Sequence, residues 1–158
     1  YDHSKKLIKD GADIIDIGGE SSRPGSKPIT LEEELERTIP LISKIRSNFP
    51  RTIISIDTTK SKVAEEAILS GANIINDISG LSFDKNMVKV ASRYDVLLVI
   101  MHMQGKPETM QYAPNYNNLI EDIKSFKLRK TTYYKFRKKI IFINLFKNRV
   151  FIYRVNKT

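Results

Sequence analysis

Short β-branched runs alternate with longer stretches of mixed apolar and charged residues over the first 126 positions. Residues 13–17 (DIIDI), 52–56 (TIISI), 73–76 (NIIN) and 96–101 (VLLVIM) read as strands. Residues 3–10 read as the end of a helix, with Gly11 where a left-handed C′ residue is cheap. Residues 18–29 form a loop rich in Gly, Ser and Pro. Thr30 with Glu33 makes a capping box that opens a helix running to about residue 48, which Pro40 should kink or break. Further helices are predicted over 61–70 (closed by Gly71), 85–93 and 117–126, the last after a loop holding Pro107 and Pro114.

The strands carry apolar residues on both faces, as buried parallel strands do. Strand–helix alternation with right-handed crossovers predicts an α/β fold with a parallel sheet. Two segments repeat each other: Gly11-Ala12-Asp13-Ile14-Ile15-Asp16 and Gly71-Ala72-Asn73-Ile74-Ile75-Asn76. Reuse of one helix-to-strand junction fits a barrel of equivalent units better than an open sheet.

Charge divides the chain. Residues 1–126 hold 16 Lys+Arg against 18 Asp+Glu, whereas 127–158 hold 11 Lys+Arg and no acid, so the net +9 belongs to the tail. Nucleic acid is therefore not the expected partner of the first 126 residues. No cysteine is present, which excludes a disulfide framework and thiolate metal sites and points to the cytoplasm. No apolar run approaches the ~18 residues of a membrane span, and no secretory leader opens the chain. Since residue 1 is Tyr, the chain is expected to begin inside a longer protein.

In a parallel α/β barrel the ligand site lies at the C-terminal ends of the strands. The four predicted strand ends carry Asp16, Asp57, Asn76-Asp77 and Met101-His102. Each alone could be a capping or loop residue; four at one rim point to a site. Asp57 accepts from N–H groups and Asn76 both donates and accepts, which suits a flat heterocycle such as an aminopyrimidinone without selecting it over others. The loop Gly18-Gly19-Glu20-Ser21-Ser22-Arg23-Pro24-Gly25 allows close backbone approach, and Arg23 can grip an anion. It reads as a lid over an anionic group or as a surface turn. Met101 and Met103 suit an apolar wall against a ring or plain core. His102 suits packing or catalysis. With no glycine-rich phosphate loop, His/Cys metal cluster or Ser/His/Asp arrangement, a transferase working by positioning and electrostatics fits best.

DIIDIGGESSRPG, ISIDTTK, ANIINDISG and VIMHMQGKPETMQ…PNY resemble the corresponding motifs of dihydropteroate synthase, in the same order and at similar spacing, over about residues 1–126. The resemblance implies a partial (β/α)8 TIM barrel of about four βα units. It implies condensation of a dihydropterin methyl diphosphate with p-aminobenzoate, with Mg²⁺ on the departing diphosphate. Carried over by position, Asp57, Asn76 and Met101 or Met103 match pterin contacts. Ser22, Arg23 and Pro24 match the loop over the p-aminobenzoate and diphosphate side, Ser22 standing for the commoner Thr. Asp16 matches an acid near the leaving group. Members are often homodimers, which this chain need not share. Pterin-binding methyltransferase domains share the barrel and the Asp/Asn logic but not this loop.

The family's metal-side Asn loop, its Asp-Pro-Gly strand end, its Ser-Arg-Lys lysine and its Arg-x-His do not occur here, so the chain is expected to be inactive alone and to hold no metal ligand of its own. Residues 127–158 contain no Gly, Ala, Ser, Pro, Asp or Glu. Their composition is that of an AT-rich gene read out of frame, which is the expectation for this segment. The alternatives are a basic binding arm on a non-catalytic remnant, a β-hairpin from 140–146 and 150–153, or a terminal barrel helix.

Overall fold

The computed structural model describes residues 1–21, 23, 26–102, 115–133, 140–146 and 149–154, with backbone alone from 127 onward. Its order is α1 (Asp2–Lys9), β1 (Ile14–Gly18), α2 (Leu31–Asn48), β2 (Ile53–Asp57), α3 (Ser61–Leu69), β3 (Ile74–Asp77), α4 (Met87–Arg93), β4 (Leu97–Met101), α5 (Leu119–Tyr133), β5 (Ile140–Phe146) and β6 (Arg149–Arg154). Among the described residues the strands form one sheet in sequence order. β1 to β5 are parallel, and β6 runs antiparallel to β5.

The two repeated junctions have one physical cause. Gly11 (φ +94°) and Gly71 (φ +115°) hold left-handed conformations that a Cβ would strain. After α1, Ala12 N–H donates to the Leu7 carbonyl and Gly11 N–H to Ile8; after α3, Ala72 donates to Ala67 and Gly71 to Ile68. Both are Schellman closures, which satisfy the last carbonyls and turn the chain into the next strand. Arg46 secures the second one from α2: its guanidinium donates to the Gly71 carbonyl and to Asn73 Oδ1.

The core lies on the helix side of the sheet. Ile15, Ile17, Ile54, Ile56, Ile75, Leu98 and Ile100 pack there against Ile42, Ile45, Val63, Ala67, Met87 and Ala91 of the helices. Each such isoleucine contributes about 1.5–3 kcal/mol of burial. The opposite face is unevenly covered. β1 alternates exposed and buried, and Ile14 (48%) and Ile53 (43%), register partners at the starts of β1 and β2, stand open to solvent. The expectation that all strands are buried on both faces therefore fails along β1 and at the start of β2.

Two expectations about α2 resolve differently. Thr30 Oγ1 accepts from Glu33 N–H at 3.1 Å, as the capping box predicts. Glu33 itself pairs with Arg37 one turn on. Pro40 does not break the helix, which runs on to Asn48 with Thr38, Ile42 and Ile45 buried on either side of it. Tertiary packing of that face outweighs one lost backbone hydrogen bond. α5 continues past residue 126, the predicted domain limit, to Tyr133. β5 and β6 form the antiparallel hairpin that was one alternative for the tail.

Candidate functional site

Asp57 is the last residue of β2 and the register partner of Asn76 on β3. In a parallel pair, partners stand on the same face of strands about 4.8 Å apart. Gly18 is Asp57's partner on β1, and the Cβ it lacks would sit 3.5 Å from that of Asp57. Asp16 lies two residues earlier on the same face and is exposed, inside the strand rather than at its end as predicted. Asn76 Nδ2 reaches back to Asp16 Oδ2 at 3.4 Å. Met101 ends β4, 8% exposed. Asp16, Asp57, Asn76 and Met101 thus share one side and one end of the sheet.

The rim is electrostatically strained. Burial pushes the Asp57 carboxyl up to about 7, and the neighbouring charges of Asp16, Asp77, Glu34 and Glu20 add to the effect. Asp77, at the end of β3, does a different job. It faces the core at 1% exposure, and its two oxygens accept from Ser79 N–H (2.8 Å) and Leu81 N–H (2.9 Å). The carboxylate organises a turn in which Gly80 and Leu81 both hold positive φ. The His102 ring meets those of Phe126 (4.7 Å, edge-on) and Tyr116 (5.8 Å), which favours the packing reading.

Arg23 is exposed on the loop after β1. The Arg23 carbonyl accepts from the Ser26 N–H (3.1 Å) and hydroxyl (2.7 Å). Ser22, Pro24 and Met103 lie outside the described residues.

A group that sequence reasoning missed sits under this loop. Lys60 Nζ, following β2, bonds Glu20 Oε2 at 2.7 Å and Glu34 Oε2 at 2.5 Å. Glu34 is 1% exposed, and its other oxygen accepts from the Thr58 hydroxyl at 2.6 Å. Burial alone would raise the Glu20 carboxyl, but Lys60 and the Ile29 N–H outweigh it and hold it below the usual range. Burial would likewise lower Lys60, and the two carboxylates overcome that and raise it. Glu34 lies on the buried face of α2 with Thr38, Ile42 and Ile45.

Among the described residues no three His, Cys, Asp or Glu side chains cluster as a metal site, so these residues do not by themselves fit a Mg²⁺ cage. Nor is any helix there long and apolar enough to cross a membrane.

Comparison with known proteins gives this geometry its family. The profile described as "Pterin binding enzyme" matches residues 1–142. A dihydropteroate synthase of Clostridium beijerinckii is 50% identical over 121 residues, covering 77% of this chain and 42% of that one. The structure of the Yersinia pestis dihydropteroate synthase with a sulfonamide drug complex superposes with a TM-score of 0.84 at 33% identity, over 89% of this chain and 52% of that one. The Clostridium difficile enzyme, solved in the presence of pteroic acid, superposes at 0.80 with 40% identity, over 89% and 52%. The chain thus spans about half the length, or less, of the relatives it matches, and its sheet is part of a TIM-type α/β barrel. It belongs to the pterin-binding enzyme family, within which it matches part of a dihydropteroate synthase.

Proposed function

We propose that this chain supplies the pterin-holding part of a dihydropteroate synthase. The reaction joins the methyl carbon of a dihydropterin methyl diphosphate to the amino nitrogen of p-aminobenzoate; diphosphate leaves with the electrons of the broken C–O bond, and the amino nitrogen releases one proton to water. The observation that carries the reading is the pairing of Asp57 and Asn76 in one register layer at a strand-end rim, with the carboxyl of Asp57 raised to about 7.

In this reading the Asp57 carboxylate accepts from the amino and ring N–H groups of the pterin edge, while the Asn76 amide donates to and accepts from the same plane. Met101, with Met103, supplies apolar contact to the ring. Asp16 orients the Asn76 amide through the 3.4 Å contact. Ser22, Arg23 and Pro24 form the cover over p-aminobenzoate and the diphosphate, where Arg23 offsets charge on the leaving group. Mg²⁺, which the resemblance implies, would supply charge neutralisation to the departing diphosphate. The cytoplasm is the compartment this reading assigns.

Calorimetric titration of the purified chain with 6-hydroxymethylpterin tests the reading. Binding that Asn76→Ala weakens at least tenfold supports it, and equal binding by both forms, or none by the parent, refutes it.

A further inference from the structure

Glu20 joins both ends of the loop that carries Arg23. It opens that loop, two residues after β1 ends, and its Oε2 accepts from the backbone N–H of Ile29, where the loop closes onto α2 (3.1 Å). The same oxygen takes the Lys60 ammonium at 2.7 Å, from the unit that follows Asp57. Lys60 is held in turn by Glu34, buried in α2, and Glu34 by Thr58, which follows Asp57 directly. The neighbouring Gly19 is seated from the other side. Its carbonyl accepts from Arg37 at 2.9 Å, and an added Cβ would come within 2.9 Å of Glu34 Cγ. Two loop ends, one helix and the segment after the strand bearing Asp57 are therefore linked through the Glu20–Lys60 pair.

We propose that Glu20, through Lys60, is a positioning residue that clasps the base of the 21–28 loop and so fixes Arg23 relative to Asp57. The proposal rests on the pterin-site reading for its ligand but not for its mechanics. An eight-residue excursion with fixed ends has far fewer conformations than one hinged freely, so less order must be gained when Arg23 meets an anion. Lys60 is the shared partner that makes the clasp depend on the β2–α3 unit. A change at that unit, far in sequence, should loosen the loop.

The test uses the 158-residue chain with Glu20→Ala, Lys60→Met and Lys60→Arg. Hydrogen exchange is followed on peptic peptides spanning 19–30 and, as a control, on β3. Titration is done with inorganic diphosphate and with 6-hydroxymethylpterin. The expected result is exchange over 20–29 at least tenfold faster in Glu20→Ala and Lys60→Met, with β3 unchanged and Lys60→Arg near the parent. Diphosphate affinity should fall about tenfold while pterin affinity stays within twofold. Unchanged exchange in Glu20→Ala, equal loosening of β3, or full exchange of 20–29 already in the parent would each overturn the clasp. A parent that does not bind diphosphate, or a Glu20→Ala variant that binds it as well as the parent, would overturn the positioning of Arg23. If Lys60→Met does not fold, Glu20→Ala decides, because it leaves the Glu34–Lys60 pair in place. If no form binds the pterin, the functional reading fails while the exchange data still judge the clasp.

Discussion

Replacing Asp57 with Asn should make the chain more stable at alkaline pH and should flatten part of its pH dependence. The folded carboxyl titrates at about 7 against an ordinary 3.8. Between those values the folded chain keeps a proton that the unfolded chain has released, so this contribution to stability is complete below about pH 3.8 and is lost as pH rises through about 7. Three pH units at about 1.4 kcal/mol each put the limit near 4 kcal/mol above pH 7, of which roughly 3 kcal/mol falls between pH 5 and pH 8. Water reaching the half-buried rim will reduce this, and about 2 kcal/mol is the expected difference. Asparagine fills nearly the same volume and does not titrate. Urea unfolding of parent and variant at pH 5 and pH 8 isolates the effect, since every other carboxylate appears in both chains. The variant's advantage should grow by about 2 kcal/mol from the lower pH to the higher. Growth below about 0.5 kcal/mol, or an advantage that shrinks, would refute the assignment of a strained carboxyl at this position.

The same titration should govern ligand binding: pterin affinity should fall up to tenfold per pH unit below about 7 and level off above it, read by calorimetry across that range. Glu34→Leu removes the buried partner of Lys60 and Thr58 and should cost about 2–3 kcal/mol in urea unfolding, with no loss indicating that the ion pair is replaceable. Gly71→Ala meets both a positive φ and a Cβ position 2.8 Å from Arg46 Cγ; a loss of at least about 2 kcal/mol is expected, and a neutral result would contradict the left-handed closure. The purified 158-residue chain is expected to form no dihydropteroate from both substrates, and measurable product would overturn that. It should also self-associate through the open inner face at Ile14 and Ile53, so a monodisperse monomer in light scattering would count against that exposure.

Much of the fold was legible because its punctuation is local. Gly11 and Gly71 mark helix ends by a backbone requirement that only glycine meets cheaply, and Thr30 marks a start by a hydrogen bond three residues long. Strand limits moved by one residue, which placed Asp57 inside β2 and Asp77 inside β3, whereas Asp16 lies within both the predicted and the observed β1. The site was harder to read. That Asp57 faces Asn76 depends on register across two strands, which no spacing along the chain encodes. Glu34 was invisible because it stands in the run Glu32-Glu33-Glu34, where a charged helix start ordinarily faces water. What buries it is the arrival of Lys60 and Thr58 from another unit, a tertiary event.

That event also shapes what the rim can hold. Glu20, Glu34, Asp16 and Asp77 all press upward on Asp57, while the Lys60 ammonium is already shared by two of them. A surface so rich in acceptors favours a ligand edge made of N–H donors and opposes a diphosphate, although the proposed substrate carries both. The two ends must then be held by different parts of the molecule. On the proposed reading the heterocycle belongs at Asp57 and Asn76, and the anion must be drawn away from them by a cation that the acids do not claim. Arg23, exposed on a loop whose ends are tied down, has the charge and the reach of a long side chain for that task. An Arg23→Ala variant should therefore leave 6-hydroxymethylpterin binding within about twofold of the parent while weakening inorganic diphosphate at least tenfold, about 1.4 kcal/mol or more. Equal losses for both ligands in calorimetry would mean that one charge serves both ends, and the division of labour argued from the crowding of carboxylates would be wrong.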